Sequence, residues 1–445
     1  VFGCFIDSNL RAQKTTILHM KKTLLSFSFV TLFFTLFAQS PSLDSAVLGT
    51  SYANDVYYSM ANGFVSKTLG NSWHIGFAIR NAAPPTNVIR STSVIVNEGR
   101  GVRIFESSQL FTNWNTFDTA NYTTWSNPHN SDSSWDIGAF NVNRNESDPF
   151  DYGWGSYDMA SHDVIGNKIF LVRITTGSGP STVNTFKKIT INKIVFDSQW
   201  VFTYANLDNT DSMTVSFGKK DFAGKLFAYY NLLNDSIQDR EPAAKWDLLF
   251  TRYGAFITQQ NQTIFTTTTG VLNNPTVTTS KVQGLPNDSA VAGMFASKIT
   301  NIGTDWKINP GPGQPSFVIK DSLVYFVRAE NGREDKLIFK SFAGSSTGSI
   351  VFEKTKTKVA TGIQKITPSL SVTLFPNPAT TTIHFDLKTI ENVNVTIHDI
   401  TGKVQLTKII NTSQNSIDIE ALHAGIYFVT IDHHTTTKVL RLIVQ

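Results

Sequence analysis

The chain has 445 residues, 41% of them hydrophobic and 16% charged, with a formal net charge of +4. That composition excludes disorder, leaves room for two or three domains, and offers no basic cluster with interleaved aromatics for nucleic acid. The single cysteine, Cys4, precedes the mature sequence argued below, so disulfides, thiolate metal sites, cysteine nucleophiles and a lipid-anchored N-terminal cysteine are excluded too.

Met20-Lys21-Lys22 opens a basic segment, and an apolar run follows from Thr23 to Phe37. About 15 residues are too few to span a bilayer core and suit the h-region of a signal peptide. Residues 20–38 are therefore read as a signal peptide cut after Ala38, and residues 1–19 as a non-native upstream segment. The mature protein is expected to carry no transmembrane segment.

The body is rich in Phe, Thr, Val and Ile, side chains that pack well on a pleated surface, and it is predicted to be all-β. It contains a repeat. Tyr57-Tyr58 precedes Trp73-His74 with 15 positions between Tyr58 and Trp73; Tyr229-Tyr230 precedes Trp246-Asp247 with 16 between Tyr230 and Trp246. Later, Ile169-Phe170-Leu171-Val172-Arg173 precedes Gly177 by four positions, as Val324-Tyr325-Phe326-Val327-Arg328 precedes Gly332. Three landmarks in one order predict two tandem related β-rich domains, 39–217 and 218–357, meeting near Gly218-Lys219-Lys220.

Two irregular stretches, 107–163 and 265–315, carry turn signals such as Asn127-Pro128, Asp148-Pro149 and Gly311-Pro312-Gly313. Long irregular stretches of this kind are often binding loops. The first holds His129 and His162, with Tyr152, Trp154, Tyr157 and Met159 nearby; the second has Met294 and no histidine. Trp114, Trp125, Trp135 and Trp154 either stack on sugar rings, as a glycan-binding or adhesive module would use them, or belong to the core. The acidic residues Asp136, Glu146, Asp148, Asp151, Asp158 and Asp163 match no calcium loop, and no serine elbow, His-Glu-x-x-His or phosphate loop is present. No catalytic residue and no metal site is assigned, and the protein is expected not to be an enzyme.

A Lys- and Thr-rich linker, 358–370, leads to a last segment, 371–445, of short strands with alternating apolar residues, the pattern of a small β-sandwich. Leu374-Phe375-Pro376-Asn377-Pro378, Asp399-x-x-Gly402-Lys403, Leu422-x-x-Gly425-x-Tyr427 and the Lys438-containing final strand follow in order. Together they resemble the C-terminal sorting domain of type IX secretion in Bacteroidetes. The resemblance implies handling by the type IX machinery, passage across inner and outer membranes, and an extracellular or cell-surface location.

The body resembles the HmuY-type haem-carrier family. The resemblance rests on the Tyr-Tyr pair, Trp246-Asp247-Leu248-Leu249-Phe250-Thr251-Arg252-Tyr253, Tyr325-Phe326-Val327-Arg328-x-x-x-Gly332 and the strand Ile338-Phe339-Lys340-Ser341-Phe342. The first copy departs at His74, where the family has Asp. The resemblance implies tandem HmuY-like domains that capture haem without doing chemistry. Its founding members hold iron between two axial histidines in the interval between front and back motifs. That implies His129 and His162 as cofactor-binding residues, with Met159 as an alternative partner and Met294 as the only candidate in the second copy.

Overall fold

The computed structural model describes residues 40–80, 92–259, 262–308, 317–359, 372–387, 392–433 and 436–445. The signal peptide, the upstream segment and most of the linker lie outside them. The described residues are all-β: antiparallel strands joined by turns and short 3-10 segments. No helix among them is long and apolar enough to cross a membrane.

The body forms two units, each a small front sheet packed on a larger back sheet. In the first unit the front order is Ser236–Gln238, Phe227–Asn231, Ile75–Ala78, Val94–Val96. Its back sheet runs Met213–Gly218, Gln199–Asn206, Val183–Val195, Val164–Gly166, Gly155–Tyr157, with Lys168–Thr176 and Val102–Leu110 continuing beside Val183–Val195. In the second unit the front order is Gln262–Asn273, Leu248–Gln259, Asn54–Ser59, Gly63–Leu69, and the back order is Ser42–Val47, Ser349–Lys358, Glu334–Phe342, Leu323–Arg328, Thr278–Gln283. Each unit closes over its own core, one around Phe77, Trp154 and Trp200, the other around Phe250, Trp306 and Phe352.

Each unit takes its front hairpin from the other half of the chain. Asn54–Ser59 pairs with Leu248–Gln259, setting Tyr58 opposite Leu248 and Val56 opposite Phe250. Phe227–Asn231 pairs with Ile75–Ala78, setting Tyr230 opposite Ile75 and Ala228 opposite Phe77. The two registers correspond: Ile75 and Leu248 each lie two residues after the landmark Trp, and Phe77 and Phe250 four after it. The expected boundary near Gly218 is thus the point where the chain leaves the first back sheet. It does not separate two self-contained segments, because each half contributes a hairpin to the other's front sheet.

This exchange explains why the Tyr-Tyr pairs are buried on both faces. Successive side chains on a strand point to opposite sides. Tyr58 and Tyr230 point into the unit cores, while Tyr57 and Tyr229 point into a third core between the units. There Trp246 meets Tyr57 edge-on at 5.2 Å, and Trp73 meets Tyr229 edge-on at 4.9 Å. The landmark glycines are equally explicable: Gly177 and Gly332 sit at φ 76° and φ 80°, left-handed turn positions that glycine adopts without a Cβ clash.

The C-terminal segment is a separate two-sheet sandwich. Val372–Phe375, Thr382–Leu387 and Ser416–Asp418 form one sheet; Val404–Ile410, Val393–Asp399, Gly425–His433 and Thr436–Val444 form the other. Ile383, Phe385 and Leu387 are buried while His384 and Asp386 are exposed, the alternation of a sheet with one face on a core.

Candidate functional site: the junction between the units

His129 lies in the loop after the buried Pro128 and reaches the second unit's long hairpin. Its ring stacks on Phe265 at 3.7 Å and meets Phe256 edge-on at 5.2 Å, while Arg103 lies 4.6 Å from the Phe265 ring. Nδ1 is 2.7 Å from Oε1 of the buried Glu98. Because a carboxylate only accepts, Nδ1 donates, and Nε2 carries the lone pair in the neutral ring.

His162 sits in a different neighbourhood. It occupies a left-handed turn position (φ 60°), its Nδ1 is 2.7 Å from the Tyr157 hydroxyl, and it meets Phe196 edge-on at 6.0 Å. Met159 is in the same turn and 70% exposed; Met294 is 93% exposed. His162 and Met159 therefore share one loop, whereas His129 and Met294 each stand elsewhere.

The tryptophans divide by role. Trp135 and Trp154 are core residues, their indole N–H groups donating to Asn273 O (2.8 Å) and Thr92 O (3.0 Å). Trp114 and Trp125 are half-buried, packed around Phe105 and Phe117. The acidic residues of the first loop mostly organise turns: Asp148, Asp151 and Asp158 accept backbone N–H groups, and Asp163 accepts from Phe196 N and Lys193. Among the described residues no three His, Cys, Asp or Glu side chains are grouped to hold a metal.

A cleft of about 980 Å³ opens between the two units. Its floor is the segment Glu241–Asp247; one wall is the turn of residues 59–62 with Ala329–Arg333, and the other is Asp197–Gln199 with Gly218–Leu226. The floor is rigidly tied. Glu241 accepts from the backbone N–H of Leu226 (2.9 Å) and Phe227 (3.3 Å), the Tyr229 hydroxyl (3.2 Å) and the Trp246 indole (3.3 Å). Asp247 accepts from Met60 N at 2.7 Å. Burial pushes the pKa of both carboxyls upward, and their donors oppose the shift. Behind the floor, Asp55 takes Arg240, Arg100 (3.1 Å) and Thr251 (2.7 Å), and the Arg240 guanidinium lies 4.9 Å from the Tyr229 ring.

No sequence motif marks this cleft, because its lining comes from short pieces of seven segments that the strand exchange assembles. The one local signal is the Arg240-Glu241 pair, two charges just ahead of the Trp246 landmark and both buried.

The C-terminal sandwich defines a class, the cargo carrier of an outer-membrane export route. The model of the family described as "Secretion system C-terminal sorting domain" matches residues 373–445, and the protein is accordingly exported to the outer membrane, the cell surface or beyond. No curated protein matches the chain.

Proposed function

We propose that this exported protein is a non-enzymatic binding protein of the cell surface or its surroundings, holding its ligand at the junction between the two interlocked units. The observation that carries this reading is the cleft: a ligand-sized space at a domain interface, where binding sites concentrate, with Glu241 of its floor held by four fixed donors. Glu241, with four donors, has no free acceptor position with which to move a proton. That arrangement supports capture without conversion.

As a specific ligand, haem is suggested by the resemblance of the body to HmuY-type carriers, and its place would be beside His129, apart from the cleft. One feature favours it. His129 is oriented by Glu98 through Nδ1, the arrangement that metal-ligating histidines use to aim the other nitrogen, and the exposed Phe256 stands beside it as an apolar wall.

A single experiment tests both levels. The secreted protein is titrated with hemin and with a panel of soluble saccharides, recording absorbance and melting temperature, and each ligand is recovered afterwards. Binding with chemically unchanged ligand supports capture; turnover of any panel member overturns it. A Soret shift that His129→Ala abolishes supports haem, and no spectral change at micromolar hemin removes haem from the proposal.

A further inference from the structure

Taking the protein as a binding protein, we infer that the cleft between the units binds an acidic saccharide: a polyhydroxylated ligand bearing carboxylates. The lining combines hydrogen-bonding and charged side chains with apolar ones such as Met60, Ile79, Leu226 and Trp246. Side-chain amides of Asn62, Gln199, Asn274 and Asn331 line the space together with hydroxyls of Ser198 and Thr276. Amides and hydroxyls both donate and accept, as a ligand studded with hydroxyl groups requires. A haem iron takes an axial nitrogen, and no histidine lines this cleft. An extended peptide needs an open strand edge to pair with. The walls here are turns: Met60–Asn62 closes a hairpin, Lys219–Phe222 is a 3-10 turn, and Ala329–Gly332 is hydrogen-bonded within itself.

The sign of the ligand's charge follows from which cations are committed. Six cations and four carboxylates line the cleft. Arg80, Lys219, Lys225 and Arg333 are engaged with Asp136, Asp197, Asp239 and Asp335. Lys245 is paired only loosely, 3.4 Å from Glu330, with both side chains largely in solvent, where such a pair contributes little. Lys220 has no carboxylate within ion-pair distance among the described residues. Two available ammonium groups, each a compact set of three donors, thus remain, Lys220 on a wall and Lys245 at the floor. Glu241 and Asp247 are tied to neutral donors of their own surroundings, Glu241 to Leu226, Phe227, Tyr229 and Trp246 and Asp247 to Met60.

The test uses the mature, secreted protein and calorimetric titration with two probes, a galacturonate oligosaccharide and a neutral galactose oligosaccharide of the same length. The expected result is at least tenfold tighter binding of the galacturonate probe at low salt, narrowing as salt rises. Lys220→Ala combined with Lys245→Ala should remove that preference. Ala244→Trp, on the exposed floor, should weaken binding more than tenfold with an unchanged melting profile; Asn62→Trp, on the opposite wall, does the same if the first variant folds poorly. Equal binding of the two probes, absence of binding by both, or full binding by the filled variants would each overturn the inference. If hemin or another panel ligand is held and the galacturonate is not, this assignment falls while the binding reading stands.

Discussion

His74 and Asp247 hold matching positions, each one residue after a landmark tryptophan, and each accepts a backbone N–H from the hairpin that crosses from the other half. Leu232 N donates to His74 Nδ1 at 2.9 Å, as Met60 N donates to Asp247 Oδ2 at 2.7 Å. His74, standing where the second copy has Asp247, therefore keeps the bond and changes its pH dependence. Burial pushes the His74 imidazole down to about 4, against about 6.5 in an unfolded chain. Above pH 6.5 both states are neutral at this site. Between 6.5 and 4 only the unfolded chain takes the proton, so stability falls as pH falls, by about 3 kcal/mol across the window. His74→Asn supplies an uncharged acceptor at the same place. Urea midpoints at pH 7 and pH 4.5 should drop more for the natural protein than for this variant, and equal drops would contradict the role given to His74. In sequence His74 is visible only as the departure from Asp beside Trp73; the sheet begins one residue later, and the bond it makes spans 158 positions. His129 was legible as a loop histidine, but its partner Glu98, 31 residues away, belongs to no local pattern.

At the level of strands and hairpins, much was readable. The Tyr-Tyr and Arg-x-x-x-Gly landmarks fall on paired strands and glycine turns, and each landmark Trp stands two residues ahead of its strand, because burial periodicity and turn chemistry are local properties. Pairing partners are not local. A strand buried on both faces, such as Asn54–Ser59, reads the same whichever strand lies beside it, and the exchange of hairpins is silent in the sequence for that reason. The sorting domain was the most legible element, since its alternating strands stand on one core. Its Asp399 turn is tied locally too: the carboxylate accepts from Thr401 N (2.8 Å), Thr401 Oγ1 (2.6 Å), Lys403 N (3.1 Å) and Gln405 (2.7 Å). These bonds hold its pKa at about 2. Deleting residues 368–445 should leave an otherwise folded body in the periplasm, assayed by fractionation and immunoblot. Normal surface display of that truncation would contradict the export argument.

The whole molecule depends on the exchange. The third core, centred on Tyr57, Trp73, Tyr229 and Trp246, exists only because each half lends a hairpin to the other, and the cleft floor runs directly into Trp246. The proposed binding surface is thus a product of interlocking rather than of either repeat alone, which also explains why no sequence segment carried its signature. The most direct test cuts the chain without disturbing either unit. Gly224 lies in a turn at φ 87° with open space where a Cβ would stand, a position suited to an inserted protease site. After cleavage there, the two pieces should stay together through gel filtration in native buffer and separate only in denaturant, since each still supplies a front hairpin to the other. Separation into two independently folded pieces in native buffer would contradict the interlocked fold and the cleft built on it.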